Sequence, residues 1–231
     1  MLNKPMEMQL RNNLEKLAKE NAIPTIIINA NTDYFRFQTE SHNGNAVYFN
    51  SNTENLGRFS LPSGTLGTYY IASTPTTALA ESFGRLRSRS QSGEVFIGEA
   101  DLTKWYLPTV TSLKTITVVD FGILMFSLGL TLDRVTGEDY KITQFIAEFL
   151  ATLPDCPYQG LAYSSRHLSS QCFAVWAKTG NTHFFQTKAM PTVKDFRHYS
   201  DFPADWKYPD ISGQEILTKV LKLVVSGYSG I

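Results

Sequence analysis

A chain of 231 residues with 42% hydrophobic and 13% aromatic content holds enough apolar material for one large domain, or one domain with appendages, rather than two full ones. Lys plus Arg and Asp plus Glu both number 21, which excludes a broad basic face for nucleic acid or an anionic membrane and leaves room only for a local basic pocket. Two cysteines, Cys156 and Cys172, make no disulfide framework, the charged N-terminus is no secretory signal, and the most apolar run, residues 116–130, is broken by Asp120 and too short for a bilayer. The expectation is a soluble protein working in a reducing cytoplasm, its own or that of a cell it is delivered into.

In chain order, Met6, Leu10, Leu14 and Leu17 recur at helical spacing and predict an amphipathic helix, packed on the body or serving as a partner-binding arm. Residues 25–29 and 33–38 (DYFRFQ) read as strands; Arg36, among aromatics, is either an edge-strand cation in water or a site residue. Residues 41–56, rich in Asn, Ser and Gly, read as a long loop.

Residues 57–81 (GRFSLPSGTLGTYYIASTPTTALAE) compress most of the polar interest into one unit. A Leu-Pro-Ser-Gly turn leads into a strand at 68–72, after which Thr74 offers an N-cap oxygen and Pro75 occupies the first helical position. Leu79, Phe83 and Leu86 form the helix's apolar stripe, with Glu81 roughly opposite. Local structure is thus expected to gather Arg58, Tyr69, Tyr70 and Glu81. By pattern alone Glu81 reads as a solvated acid paired with Arg85 at i+4, and Arg85, Arg87 and Arg89 as a solvated helix end.

Residues 94–102 and 115–119 read as strands, 122–130 as a short buried helix, and 138–153 as a longer helix capped by Thr136. Residues 160–164, 171–178 and 182–188 read as three further strands, with Thr179-Gly180-Asn181 as a hairpin turn between the last two. The aromatic, proline-broken tail 190–210 is expected to lie irregularly across the surface, and Ser212 with Glu215 forms a capping box for a closing helix. Irregular alternation of strands and helices indicates an α+β fold with a mixed sheet. The expected organisation is an N-terminal helical arm (1–30), a catalytic domain (31–190), and an aromatic loop and helix (191–231) packed on that domain.

Neither common Gly-rich phosphate loop is present, and His42, His167, His183 and His198 lack ligand spacing, so no metal site is expected. No nucleophile elbow occurs, and the cysteines sit in apolar settings. Ser164-Ser165-Arg166, at a strand end, is the other polar cluster; by itself it reads equally as a turn capping the strand.

Taken together, DYFRF, then GRF with YYIASTPTTALAE, then YKITQFIAEFL leading into GLAYSSRHLSSQCFAVW, resemble the RES domain in content and order, from Asp33 to Trp176. The resemblance implies a compact fold related to ADP-ribosyltransferases and an enzyme that cleaves the nicotinamide–ribose bond of NAD+, as a glycohydrolase or as a phosphorylase using inorganic phosphate. It also implies a toxin neutralised by an Xre-type helix-turn-helix antitoxin, with no metal, direct nucleic-acid or membrane partner. Carried over by motif, Glu81, Arg36 and Ser165 would be catalytic, while Arg58, Tyr70, Tyr69 and Arg166 would bind NAD+. Leu56 and Ser164 depart from the family pattern, which often has Gly and Pro there. The chemistry suits these residue types. Glycosidic cleavage needs a carboxylate near a developing oxocarbenium ion, and guanidinium groups donate in pairs to phosphate oxygens. Two other readings keep the same residues: transfer of ADP-ribose to a protein, and a catalytically idle module that binds nucleotide or a partner.

Overall fold

The structure is a computed structural model describing residues 2–90, 94–137, 139–154, 157–180, 183–198 and 210–227. Its organising element is an eight-stranded sheet with order β1-β6-β7-β8-β3-β2-β5-β9. These strands are β1 (Thr25–Ile28), β2 (Asp33–Phe35), β3 (Gly67–Ala72), β5 (Thr109–Ser112), β6 (Ile116–Asp120), β7 (Gly160–Ser164), β8 (Gln171–Ala177) and β9 (Phe185–Ala189). Strand β4 (Phe96–Gly98) lies outside it, paired in parallel with β12 (Val224–Ser226). Within the large sheet only β6 and β7 run parallel, so the α+β mixed-sheet expectation holds.

Each face of the sheet carries its own core. Period-two alternation sends Tyr70 and Ala72 of β3 to one face and Tyr69 and Ile71 to the other. The first face is covered by helices α1 (Lys4–Lys19), α2 (Pro75–Arg89), α3 (Phe121–Ser127), α4 (Leu132–Thr136) and α5 (Lys141–Ala151). The second face is closed by the segment after β2, whose Ala46, Val47 and Phe49 are buried. That segment is a long loop, as its composition predicts, but it works as a wall of the core.

Helix α1 is part of the body rather than a separate arm. Asn3 caps it through a hydrogen bond from the Met6 amide, and Leu10 and Leu14 are buried in the main core. Strand β1 also belongs to the main sheet, and position 30 lies in the turn between β1 and β2. Helix α2 begins as expected, with Thr74 Oγ1 accepting from the Thr77 amide and proline in the first turn. Its stripe ends at Phe83, because Leu86 is exposed.

Several elements differ from expectation for identifiable reasons. Thr136 does not cap α5: it lies inside α4, where its hydroxyl donates to the Leu132 carbonyl, and the Asp139 carboxylate accepts from the Lys141 amide instead. Helix α3 is buried on one side only, with Ile123 56% and Phe126 84% exposed. The strand read at 94–102 shortens to β4 and continues as a 3₁₀ turn, Glu99–Thr103. No β8–β9 hairpin forms, because β7 and β3 fill both edges of β8; β9 pairs with β5 at the far edge. In the tail, β10 (Arg197–His198) pairs with β11 (Ile211–Ser212), while 199–209 lies outside the described residues. The capping box of Ser212 and Glu215 is present, but α6 (Gly213–Glu215) passes into a π-helical turn, Ile216–Val220, and ends in strand β12 rather than in a helix.

Candidate active site

Between β2, β3, β7 and α2 lies a cavity of ≈ 230 Å³ whose lining includes Arg36, Phe37, Tyr70, Glu81, Tyr163 and Cys172. Apolar walls with a few convergent polar groups are the usual make-up of a small-molecule site. Glu81 is half-buried here rather than solvated. The Ser165 hydroxyl donates to Glu81 Oε1 at 2.6 Å, while the amides of His167 and Leu168 both donate to Ser165 Oγ at 3.1 Å. The one proton and both lone pairs of Ser165 are therefore in use. Glu81 Oε1 is thus anchored, and Oε2 accepts no hydrogen bond among the described residues. The Arg85 side chain, the partner suggested by the i+4 spacing, lies outside the described residues.

Arg36 stands just past the end of β2. Its Nη1 donates to the Ala46 carbonyl at 3.2 Å, and its guanidinium lies 4.8 Å over the Tyr69 ring. Arg36 Nε is buried with no hydrogen-bond partner. Tyr69 was expected to touch substrate but faces the opposite side of the sheet from Tyr70, fully buried, and forms the shelf beneath Arg36. Its hydroxyl lies beside the guanidinium without a well-aligned hydrogen bond. Burial pushes it up to about 12, against the opposing pull of Arg36.

Arg58 is only 9% exposed and does not line the cavity; it sits behind the cavity wall, 5.6 Å from the ring centroids of Tyr163 and Phe59. Side chains from other elements fix its turn. Gln144 Nε2 donates to the Gly57 carbonyl (3.0 Å), Thr143 Oγ1 to the Arg58 carbonyl (2.6 Å) and Trp176 Nε1 to the Phe59 carbonyl (3.1 Å). The Phe59 amide donates to the Tyr70 hydroxyl at 2.8 Å. Glycine is required at position 57, since a Cβ there would come within 2.7 Å of that same hydroxyl. Among the described residues, no carboxylate forms an ion pair with Arg36 or Arg58. Arg58 is buried and Arg36 half-buried; cations held out of water without an ion-pair partner are costly to maintain, and a bound anion would relieve that cost.

Burial pushes Tyr70 up to about 12, with weaker opposing contributions from Ser60, Phe59 and Arg58, so its phenol stays neutral as part of the cavity wall. Cys172 is likewise raised to about 12, by burial first and by the charge of Glu81 second, which leaves an inert thiol. Arg166 is committed elsewhere: Nη1 donates to the Thr136 carbonyl (2.9 Å) and Nη2 to the Tyr140 hydroxyl (3.1 Å), tying the loop after β7 to the α4–α5 junction. Cavity, wall and clamp together thus assemble Arg36, Tyr70, Glu81 and Ser165, with Arg58 adjacent, and leave Tyr69 and Arg166 as supports. Sequence reasoning missed Thr143, Gln144 and Trp176. The signal available was a pair of polar residues in the first turn of the apolar helix α5, where Thr143 is 1% exposed.

Comparison with curated proteins found no match. Among solved structures, a chain of the MbcT–MbcA toxin–antitoxin complex of M. tuberculosis is similar, with a TM-score of 0.59 at 16% identity; the match covers 90% of this chain and 94% of that chain. At that identity the likeness speaks for the fold. The family profile of the RES domain matches residues 28–196, which takes in strands β2 to β9 and every residue of the cavity, and the chain therefore belongs to the RES-domain family.

Proposed function

We propose that this protein is a toxin-type enzyme that cleaves the nicotinamide–ribose bond of NAD+, by hydrolysis or with inorganic phosphate as acceptor. The observation that supports this most is Glu81, anchored by Ser165 at one oxygen, facing a cavity lined by Arg36 with Arg58 behind its wall, neither of them ion-paired to a carboxylate among the described residues. In the reaction, the glycosidic C–N bond breaks and its electron pair returns to the pyridinium ring, which leaves as neutral nicotinamide. Positive charge develops on the ribose, where the Glu81 carboxylate stabilises it or holds the ribose hydroxyl. Water or phosphate then attacks the anomeric carbon, with the water proton released to solvent. Arg36, with Arg58 behind the wall, offsets the pyrophosphate charge, and Tyr70 and Phe37 contact the flat nicotinamide ring. Ser165, with its hydrogen-bonding capacity already filled, orients the carboxylate rather than contacting substrate.

Incubating the purified protein with NAD+, with and without phosphate, and following nicotinamide tests this reading. Wild type should release nicotinamide, and Glu81→Gln should lower the rate about 100- to 1000-fold. Absence of release from wild type, or equal rates for the two proteins, overturns it. A phosphate-dependent rate identifies phosphorolysis. The solved neighbour is a toxin–antitoxin complex, which supports an inhibitory partner here, proposed as an Xre-type antitoxin. Its co-expression should restore growth to cells producing this protein.

A further inference from the structure

Glu81 and the loop that orients it meet on one helix face. Gly84 follows Glu81 by three residues on α2, so the two positions lie nearly one above the other. The ring of His167 rests on the backbone at Gly84: a Cβ there would stand 2.4 Å from His167 Cε1 and Nδ1 and 2.5 Å from Cγ. Beside this seat the ring lines a cavity of ≈ 390 Å³ with Phe83 and Leu168, and its Nε2 is buried without a partner among the described residues. His167 is also the residue whose amide, with that of Leu168, donates to Ser165 Oγ. At its other end the loop is tied by the Ser165 amide to the Ser170 carbonyl (2.8 Å), and the Ser170 hydroxyl meets that of Thr77 in the first turn of α2.

We propose that Gly84 and His167 are positioning residues, a glycine seat and the ring that docks in it, which set the Ser165 loop on α2 so that the serine proton is directed at Glu81. The two amides fill the lone pairs of Ser165 and leave its hydrogen only the carboxylate, so the direction of that bond depends on how deeply the loop sits against the helix. Because carboxylate and seat belong to the same α2 turn, the loop's docking depth becomes the separation of Ser165 and Glu81. The side chain of His167 therefore contributes through shape, while its backbone supplies the hydrogen bond.

This inference rests on the proposed NAD+ cleavage for its rate measurement alone. Gly84→Ala should lower kcat about 100-fold, as a displacement of about 1 Å does in a positioned site, while leaving KM for NAD+ nearly unchanged. Adding His167→Ala removes the ring that the new Cβ strikes, and the double variant should regain at least about tenfold of the loss. A Gly84→Ala protein as fast as wild type, or a double variant no faster than Gly84→Ala, overturns the proposal. Should wild type release no nicotinamide, the NAD+ reading fails by itself, and a crystal structure of Gly84→Ala decides the positioning: a Ser165–Glu81 bond still at 2.6 Å overturns it, and a lengthened one supports it. If Gly84→Ala does not fold, a folded double variant supports the proposal and an unfolded one overturns it.

Discussion

Arg36 lines the cavity and Arg58 sits behind its wall, and the two are held in opposite ways. The backbone around Arg58 is fixed by side chains from α5, β3 and β8, each satisfying one peptide group, and its side chain is packed between Phe59 and Tyr163. Arg36 stands just past the end of a strand that meets β3 at a single register pair, Phe35 and Ala72. One backbone carbonyl and the face of Tyr69 are what hold its guanidinium. The first arrangement fixes a charge behind the wall, where it sets the local field. The second leaves most of a five-donor fork uncommitted inside the cavity, where a ligand's anionic group can draw it into new hydrogen bonds.

That contrast is broken most forcefully at Arg36. Arg36→Ala should raise the Kd of NAD+ about 10- to 100-fold, the range expected for hydrogen bonds to a charged group. Arg36→Lys should recover little, because an ammonium group cannot both lie flat on Tyr69 and present a paired fork to phosphate. Calorimetry with NAD+ reads both values, and a lysine variant binding like wild type would mean that charge alone is used. On the Arg58 side the largest effects should fall on stability. Thr143→Val strands the buried Arg58 carbonyl and should lower the free energy of unfolding by about 1–3 kcal/mol. Trp176→Phe keeps most of the ring's bulk but removes the donor to Phe59, for about 1 kcal/mol. Denaturant melts measure both, and unchanged midpoints would show that the Arg58 turn does not depend on its clamps.

The same contrast explains what could be read from the sequence. The helix that carries Glu81, with its N-cap and proline, and the strand before it are encoded within twenty consecutive residues and local rules place both, although by pattern alone Glu81 reads as solvated and its contact with Ser165 comes from 84 residues away. Tyr69 was grouped with Tyr70 at the site, although neighbouring residues on a strand face opposite sides, and that rule would have separated them. Arg58's surroundings were not legible, because they come from α5 and β8, 85 and 117 residues further along, and propensity carries no information about such contacts. Strand β5 was missed because Thr109–Ser112 is a short run with one buried valine, and its place between β2 and β9 is set by long-range pairing. The expected hairpin after β8 failed for the same reason. A glycine-containing turn shows that the chain bends there, and the sheet decides where the next strand lands.

The smallest effect sharpens the comparison most, because it reads the two cationic groups through a third. Burial lowers the pKa of His167 from its ordinary 6.5; the charge of Glu81 opposes the shift, and Arg166 and Arg58 reinforce it, whereas Arg36 does not contribute. A histidine with a lowered folded-state pKa contributes stability that is present above 6.5 and is lost as pH falls through the folded value, since the unfolded chain binds the proton first. His198, also lowered by burial, adds to the same window. Glu215, held down to about 2 by Lys219 and by its capping contacts with Ser212, loses its contribution only below its ordinary 4.5, so the two phases separate. Melting temperature should therefore fall between pH 7 and 5, and His167→Asn should flatten part of that fall. Followed by NMR, the His167 pKa should rise in Arg58→Gln, fall in Glu81→Gln and stay put in Arg36→Gln. A response to Arg36→Gln as large as that to Arg58→Gln would mean that the two arginines share one field, and the distinction between a fixed charge behind the wall and an adaptable one within the cavity would not hold.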